Sequence, residues 1–125
     1  MINFVHTELA PAAVGPYSQA TKVGNMIFIS GQIPLNPKTM QIESSTAAEQ
    51  SETVLTNLLA ILTASGAGLN HVVKATVYLK NMGDYAAVNR VYEKFFGNHK
   101  PARVCIEVSR LPRDVLVEID AIAVV

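Results

Sequence analysis

The sequence predicts a single α+β domain in which two helices pack on one face of a mixed, six-stranded sheet. Two segments place apolar residues at helical spacing, and the shorter apolar segments around them have the character of strands. The resulting order is β-β-β-α-β-α-β-β. With 125 residues the chain has room for one hydrophobic core, so residues 1–125 are treated as one domain.

The first half of the chain begins with a predicted hairpin. A segment from about Ser18 to Val23 and a second from Met26 to Ile29 flank the dipeptide Gly24-Asn25, which favours a tight turn. The following stretch, SGQIPLNPKTMQIES, contains two prolines and an asparagine and is predicted to be a loop.

Two helices follow from their caps and apolar stripes. Thr46 and Glu49 have the spacing of a capping box, and Gly66 is a natural stop for the first helix. The second helix is expected from about Asp84, a good N-cap, to Gly97. Their apolar stripes are Val54, Leu55, Leu58, Ile61 and Leu62 in the first helix, and Tyr85, Val88, Tyr92, Phe95 and Phe96 in the second.

The remaining strands are expected at Val72 to Leu79, Ala102 to Val108 and Val115 to Val124. Because side chains alternate along a strand, each strand has two faces. The purely apolar faces, expected beneath the helices, are Ala102, Val104, Ile106 and Val108 in one strand, and Val115, Val117, Ile119, Ala121 and Ala123 in the next.

The short Ser109–Asp114 connection predicts that the last two strands are antiparallel neighbours. In one possible register Arg103 lies directly opposite Glu118, at roughly 5 Å. In the other it lies opposite Asp120 and diagonal to Glu118, at roughly 7–8 Å from Glu118. Both side chains are expected on the sheet face that the helices leave open. Such a pair is either a cross-strand salt bridge that fixes register, or a cation and a carboxyl placed to bind a small carboxylate and transfer protons.

Composition narrows the class of protein. Only 16% of residues are charged, against roughly 25% in a typical soluble domain. We therefore expect part of the surface, including the open sheet face, to be covered in a homo-oligomer. Ten basic residues balance ten acidic ones, which argues against nucleic-acid or anionic-membrane binding. Without a leader or a long apolar run, a cytoplasmic protein is expected.

Several segments together resemble the RidA/YjgF family, in its RidA subgroup. They are APAAVGPYSQA, MIFISGQIPLNP, VNRVYEKFFG and PARVCIEVSRLPRDVLVEI, and they extend over nearly the whole chain. The resemblance implies a chorismate-mutase-like fold and a homotrimer with sites between subunits. It also implies hydrolysis of reactive enamines and imines, such as 2-aminoacrylate, 2-iminopropanoate and 2-iminobutanoate, to 2-oxo acids and ammonia. Pyridoxal-phosphate enzymes release these substrates, and neither a cofactor nor a metal takes part.

The resemblance also implies roles for individual residues. Arg103 would bind the substrate carboxylate, and Glu118 would hold the attacking water together with the backbone carbonyl of Cys105. Tyr17 would close the pocket from one side. The residues that would line or support it are Ser30, Gly31 and Asn89.

Simpler roles remain open for these residues. Tyr17 is alternatively an interface aromatic, Asn89 a hydrogen-bonding strut, and Gly31 a bulge or a close backbone approach. Cys105 has no activating base nearby in sequence, which favours a small half-buried side chain over a nucleophile. The three histidines, His6, His71 and His99, lie outside the motifs and lack metal-ligand spacing.

Two other functions compete with the deaminase. A non-catalytic ligand-binding module or oxidant-activated chaperone needs only the trimer and its groove. An endoribonuclease is disfavoured by the balanced charge, the absence of tryptophan and the lack of a histidine pair.

Overall fold

A computed structural model describes residues 1–125 and contains six strands and two α-helices. The strands are β1 (Ile2–Val5), β2 (Ala20–Val23), β3 (Met26–Gln32), β4 (Val72–Leu79), β5 (Ala102–Glu107) and β6 (Val117–Val124), and the helices are α1 (Ala47–Ala64) and α2 (Tyr85–Phe96). This order and the single six-stranded sheet confirm the predicted α+β class. The first strand, β1, is the one whose position the sequence did not predict.

Local signals set the ends of α1 and of the first hairpin. The Thr46 hydroxyl accepts a hydrogen bond from the Glu49 amide at 3.2 Å, and the Glu49 carboxylate accepts one from the Thr46 amide at 3.4 Å. Gly66, just beyond the C-cap, has a φ of +83°. Gly24 has a φ of +57°, which allows β2 and β3 to pair across a two-residue turn.

The start of α2 differs from the prediction in one detail. Asp84 occupies the N-cap position, but its side chain makes no capping hydrogen bond. The side-chain hydrogen bond comes instead from Asn81, whose side-chain oxygen accepts from the Gly83 amide at 2.8 Å. This bond caps the 3₁₀ turn that precedes the helix.

The strand order is β1-β2-β3-β6-β4-β5, which corrects the predicted pairing at the C-terminus. Strands β5 and β6 are not neighbours, because β4 lies between them. β5 pairs in parallel with β4 because α2 forms the crossover of a βαβ unit, and such a crossover makes consecutive strands parallel. β6 pairs antiparallel with both β3 and β4.

Both helices cover one face of the sheet and form the core with it. The buried side chains include Ile27, Ile29, Val72, Ala75, Val77, Leu79, Val117, Ile119, Ala121 and Ala123 from the sheet, and Val54, Leu55, Leu58, Ile61, Leu62, Val88, Val91, Tyr92 and Phe96 from the helices. Truncating one of the large aliphatic residues in such a core costs about 2–5 kcal/mol. No helix combines the length and apolar character that a bilayer span requires.

The other face of the sheet is uncovered and largely apolar. Phe28 is 40% exposed there, and Val104 and Ile106 are each 41% exposed. The prediction that Val104 and Ile106 lie beneath the helices is therefore wrong. Arg103 and Cys105 take the helix side instead, opposite Ala75 and Val77 of β4. We call this apolar surface the open sheet face.

Candidate functional site

The predicted site residues fall into two separate groups. Tyr17, Ser30, Gly31 and Glu118 line one cavity of about 540 Å³, here called the Glu118 cavity. Arg103 and Asn89 line a second, shallower hollow of about 320 Å³ beside α2, here called the Arg103 depression.

Arg103 and Glu118 lie on opposite faces of the sheet. Arg103 is paired with the buried Ala75, on the helix side, whereas Glu118 is paired with Tyr78 on the open face. The prediction that the two side chains share one face is wrong for a single chain. The error arose from the assumption that the more apolar side of β5 faces the core of its own chain.

Glu118 is positioned by its contact with Gly31. The β3–β6 register shifts between Ile29 and Gln32, which places Gly31 at an irregularity in the strand. A Cβ atom at Gly31 would lie 2.9 Å from the Glu118 Cδ and 3.3 Å from its Cγ, and it would overlap Oε2. Both structural roles expected of Gly31 are observed. It lies at an irregularity in the strand, and its lack of a side chain allows the Glu118 side chain to approach the backbone closely.

Hydrogen bonds fix the wall of the Glu118 cavity. The Ser30 hydroxyl donates to the Ser18 carbonyl at 2.6 Å, and the Ser30 amide donates to the Gln19 carbonyl at 3.0 Å. The buried Gln19 side chain accepts from the Thr7 amide at 2.7 Å and donates to the Pro11 carbonyl at 2.8 Å. Gln19 therefore holds the N-terminal segment against the cavity. It lies in the GPYSQA motif, but the sequence analysis assigned it no role.

Tyr17 lies on the cavity wall with half of its surface exposed. Its backbone amide donates to the Gly15 carbonyl at 2.9 Å, which fixes the backbone of the turn. No hydrogen bond within the chain holds the Tyr17 side chain in place. An exposed aromatic beside a cavity is suited to cover a bound molecule or to contact a second protein chain.

The Glu118 carboxyl has an environment suited to proton transfer. Burial raises its pKa, and the neighbouring Asp120 carboxylate raises that pKa further. Asp120 accepts a hydrogen bond of 2.9 Å from the Tyr78 hydroxyl, which fixes it beside Glu118 on the open sheet face. Tyr78 and Asp120 lie beside Glu118 without lining the cavity, and the sequence analysis did not identify them as a pair.

Two aromatic rings hold the Arg103 guanidinium. Its Cζ lies 4.8 Å from the ring centre of Tyr92 and 5.7 Å from that of Tyr85, distances typical of cation–π contacts. Nη2 also donates to the Tyr85 hydroxyl at 3.1 Å. The Tyr92 hydroxyl is buried without a hydrogen-bond partner. Asn89 is half-buried in the same hollow, next to these groups rather than inside the core.

Cys105 follows Arg103 on the helix side of β5 and is half-buried against the core. Burial raises the pKa of its thiol, which Arg103 only partly offsets. A thiol that retains its proton is a poor nucleophile. His99 lies outside the motifs in the sequence but lines the Arg103 depression, where its Nε2 is within 2.7 Å of the Val72 carbonyl oxygen.

Comparison with known proteins places this arrangement in a family. A family model described as Endoribonuclease L-PSP matches residues 7–125. A RutC family protein of Pyrococcus horikoshii is 56% identical over 123 residues, which cover 98% of each chain. The chain belongs to the RidA/YjgF family.

Two further RidA/YjgF relatives carry more specific descriptions. An Escherichia coli protein named 2-iminobutanoate/2-iminopropanoate deaminase is 50% identical over 127 residues, covering 99% of this chain and 98% of that protein. The crystal structure of Escherichia coli TdcF with bound serine superposes with a TM-score of 0.94 at 41% identity, covering 98% of both chains.

Proposed function

We propose that this protein hydrolyses 2-imino acids and their enamine tautomers to 2-oxo acids and ammonia. The observation that carries the proposal is the Glu118 carboxyl, which has a raised pKa and lies against Gly31 in a cavity built by the GPYSQ and SGQIP motifs. The named activity of the 50% identical Escherichia coli relative supports the same reaction class.

A complete site requires more than one copy of the chain. The Glu118 cavity and the Arg103 depression occupy different sides of the sheet, so each is half of a site. When one half-site meets the complementary half-site of a neighbouring copy, the contact is head-to-tail, and such contacts form a ring when the rotation between copies closes. We assign the ring as a homotrimer in which the open sheet faces, with Phe28, Val104 and Ile106, are buried between copies.

Arg103 supplies the group that binds the substrate carboxylate. A guanidinium carries five N–H donors, and within the chain Arg103 is hydrogen-bonded only to the Tyr85 hydroxyl. The remaining donors can hold a carboxylate in bidentate fashion, while the tyrosine rings restrict the rotation of the guanidinium. The serine bound to TdcF, a small amino acid with one carboxylate, is consistent with this role.

Glu118 then transfers the protons that water addition and ammonia loss at C2 require. As a carboxylate it takes a proton from water, whose oxygen attacks C2 of the protonated imine and forms a tetrahedral carbinolamine. The proton returns from Glu118 to the nitrogen, and the Glu118 carboxylate then takes the hydroxyl proton as the C–N bond breaks, so that the C2 carbonyl forms and ammonia leaves. That last proton passes from Glu118 to the departing ammonia, which leaves Glu118 ionised for the next cycle. A pKa raised toward neutrality suits a group that must both accept and donate a proton.

The backbone carbonyl of Cys105 is the second group assigned to the attacking water. β5 is an edge strand, so part of its backbone faces away from β4 and remains available for other partners. The rate gain required is modest, because an imine reacts with water unaided and each tenfold acceleration needs only about 1.4 kcal/mol.

The test is hydrolysis of imines generated in situ by threonine dehydratase, with 2-oxobutanoate formation as the measured rate. Arg103→Ala should remain a folded oligomer with at least about a hundredfold lower kcat/KM, since it loses the charged carboxylate contact. Arg90→Ala, which removes an exposed guanidinium from α2, is the matched control and should retain activity. Full activity of Arg103→Ala would refute the proposal.

A further inference from the structure

Arg113 is the one cationic residue that lines the Glu118 cavity. Its guanidinium forms no salt bridge within the chain, and its hydrogen bond is a long one, 3.4 Å from Nη1 to the Met40 carbonyl oxygen. The adjacent carboxylate of Asp114 is already engaged by Arg110, through contacts of 2.7 and 3.1 Å. The positive charge of Arg113 is therefore unneutralised at the wall of the cavity.

The turn that presents Arg113 has an unusual backbone. Arg113 has a φ of 59° and ψ of 18°, and Asp114 has a φ of 55°, so two consecutive residues with side chains adopt the left-handed conformation. Buried residues hold the turn at both ends, Leu111 at 6% and Val115 at 1% exposure. Strained backbone of this kind persists where the surrounding structure enforces it, and it is concentrated at ligand sites.

Arg113 lies on a part of the cavity wall that the reacting end of the substrate does not use. In one chain the cavity measures about 540 Å³ and is open to solvent, and the neighbouring copy that supplies Arg103 closes it from one side. The carboxylate and C2 of the substrate lie between Arg103 and Glu118, which leaves Arg113 available to the substrate side chain.

We propose that Arg113 is a specificity residue that binds a second carboxylate, so that the enzyme prefers 2-imino dicarboxylic acids, those derived from acidic amino acids. This inference rests on the proposed function, in which Arg103 binds the carboxylate at C1 and Glu118 acts at C2. Arg113 binds the carboxylate at the end of the substrate side chain. The reaction is unchanged, since water adds at C2 and ammonia leaves.

A carboxylate is the anion that fits this position. The planar guanidinium binds it through two parallel hydrogen bonds, a geometry that a lysine ammonium does not reproduce.

The experiment compares two classes of imine made in situ by flavin-dependent amino-acid oxidases, with ammonia release as the rate. Aspartate and glutamate give the dicarboxylic imines, and alanine and 2-aminobutanoate give the neutral ones. Because C2 of an imine is planar, oxidases for D- or L-amino acids supply the same substrate. The measured quantity is the ratio of kcat/KM for dicarboxylic over neutral imines.

Arg113→Ala should lower this ratio by about tenfold, the loss expected for one solvent-accessible charged contact. Arg90→Ala removes the same charge from the exposed surface of α2, outside the cavity lining, and should leave the ratio unchanged. Arg113→Glu should invert the preference toward an imine with a cationic side chain, made from arginine. Misfolding cannot produce such a gain.

Each remaining outcome decides against the inference. An equal loss for both classes in Arg113→Ala would make Arg113 a general anion-steering group and overturn the specificity role. Wild-type protein that hydrolyses neutral imines and leaves dicarboxylic ones untouched would overturn the inference while the proposed function stands. Wild-type protein that hydrolyses neither class would overturn both.

Discussion

Gly31 and Glu118 are in such close contact that a single methyl group on Gly31 would overlap the Glu118 carboxylate. The glycine is required here for space rather than for its backbone angles, since Gly31 lies in an extended strand with no positive φ. The position of the proposed catalytic carboxyl therefore depends on a residue that has no side chain.

Gly31→Ala should leave the fold intact and lower kcat/KM for imine hydrolysis by about ten- to a hundredfold. Glu118 is a flexible side chain that can swing away from the new methyl group, so the cost falls on its orientation. Circular dichroism and the coupled hydrolysis assay would measure the two effects. In a double-mutant cycle, Gly31→Ala should cost nothing further once Glu118 is already alanine; an additive loss would show that Gly31 acts independently of Glu118.

Asp120→Asn should shift the acid limb of the pH–rate profile to lower pH. The Asp120 carboxylate raises the pKa of Glu118, and asparagine removes that charge while keeping an oxygen that can accept the Tyr78 hydrogen bond. Because Glu118 activates water as a carboxylate, its activity rises with pH through its own pKa, and a lower pKa brings that rise to lower pH. Measured kcat/KM across pH 4–9 tests this. An unmoved acid limb would show that Asp120 does not tune Glu118.

Local features of the fold could be predicted from the sequence because their signals lie within a few residues. The Thr46–Glu49 capping box and the Gly24 turn were both found this way and are confirmed. The alternation of β6 also held, with Val117 and Ile119 buried and Glu118 on the opposite side. In each case one chain contains the whole physical cause.

The β5 assignment failed because its cause lies outside one chain. Val104 and Ile106 are apolar yet exposed, and a parity argument that equates apolar with buried turns the strand over. The insertion of β4 between β5 and β6 is a long-range choice that the short Ser109–Asp114 connection did not signal. The sequence thus predicted which residues are candidates for the site. It could not predict that these residues are divided between the two faces of the sheet.

Ile106→Glu should prevent assembly and, with it, catalysis. Ile106 is exposed on the open sheet face of a single chain and is assigned to the interface between copies. A glutamate at this position would be buried on assembly, which is strongly unfavourable for a charged group. Sedimentation velocity should show monomers, and imine hydrolysis should fall at least tenfold because the half-sites no longer meet. Thr56→Glu adds the same charge to the exposed surface of α1 and should change neither property. A fully active Ile106→Glu monomer would contradict the shared site, and a normal oligomer would contradict the assigned interface.

Tyr85→Phe and Tyr92→Phe remove the same atom from the two rings beside Arg103 and should have different consequences. The Tyr85 hydroxyl accepts a hydrogen bond from Arg103, so its loss frees the guanidinium to move and should raise KM about three- to tenfold with little change in kcat. The Tyr92 hydroxyl is buried without a partner, so its removal should leave KM unchanged and stabilise the fold by up to about 1 kcal/mol. Steady-state kinetics and urea denaturation separate the two effects. If Tyr92→Phe raised KM as much as Tyr85→Phe, the Tyr92 hydroxyl would have to contact the substrate or the neighbouring copy, and the assignment of Arg103 orientation to Tyr85 would be wrong.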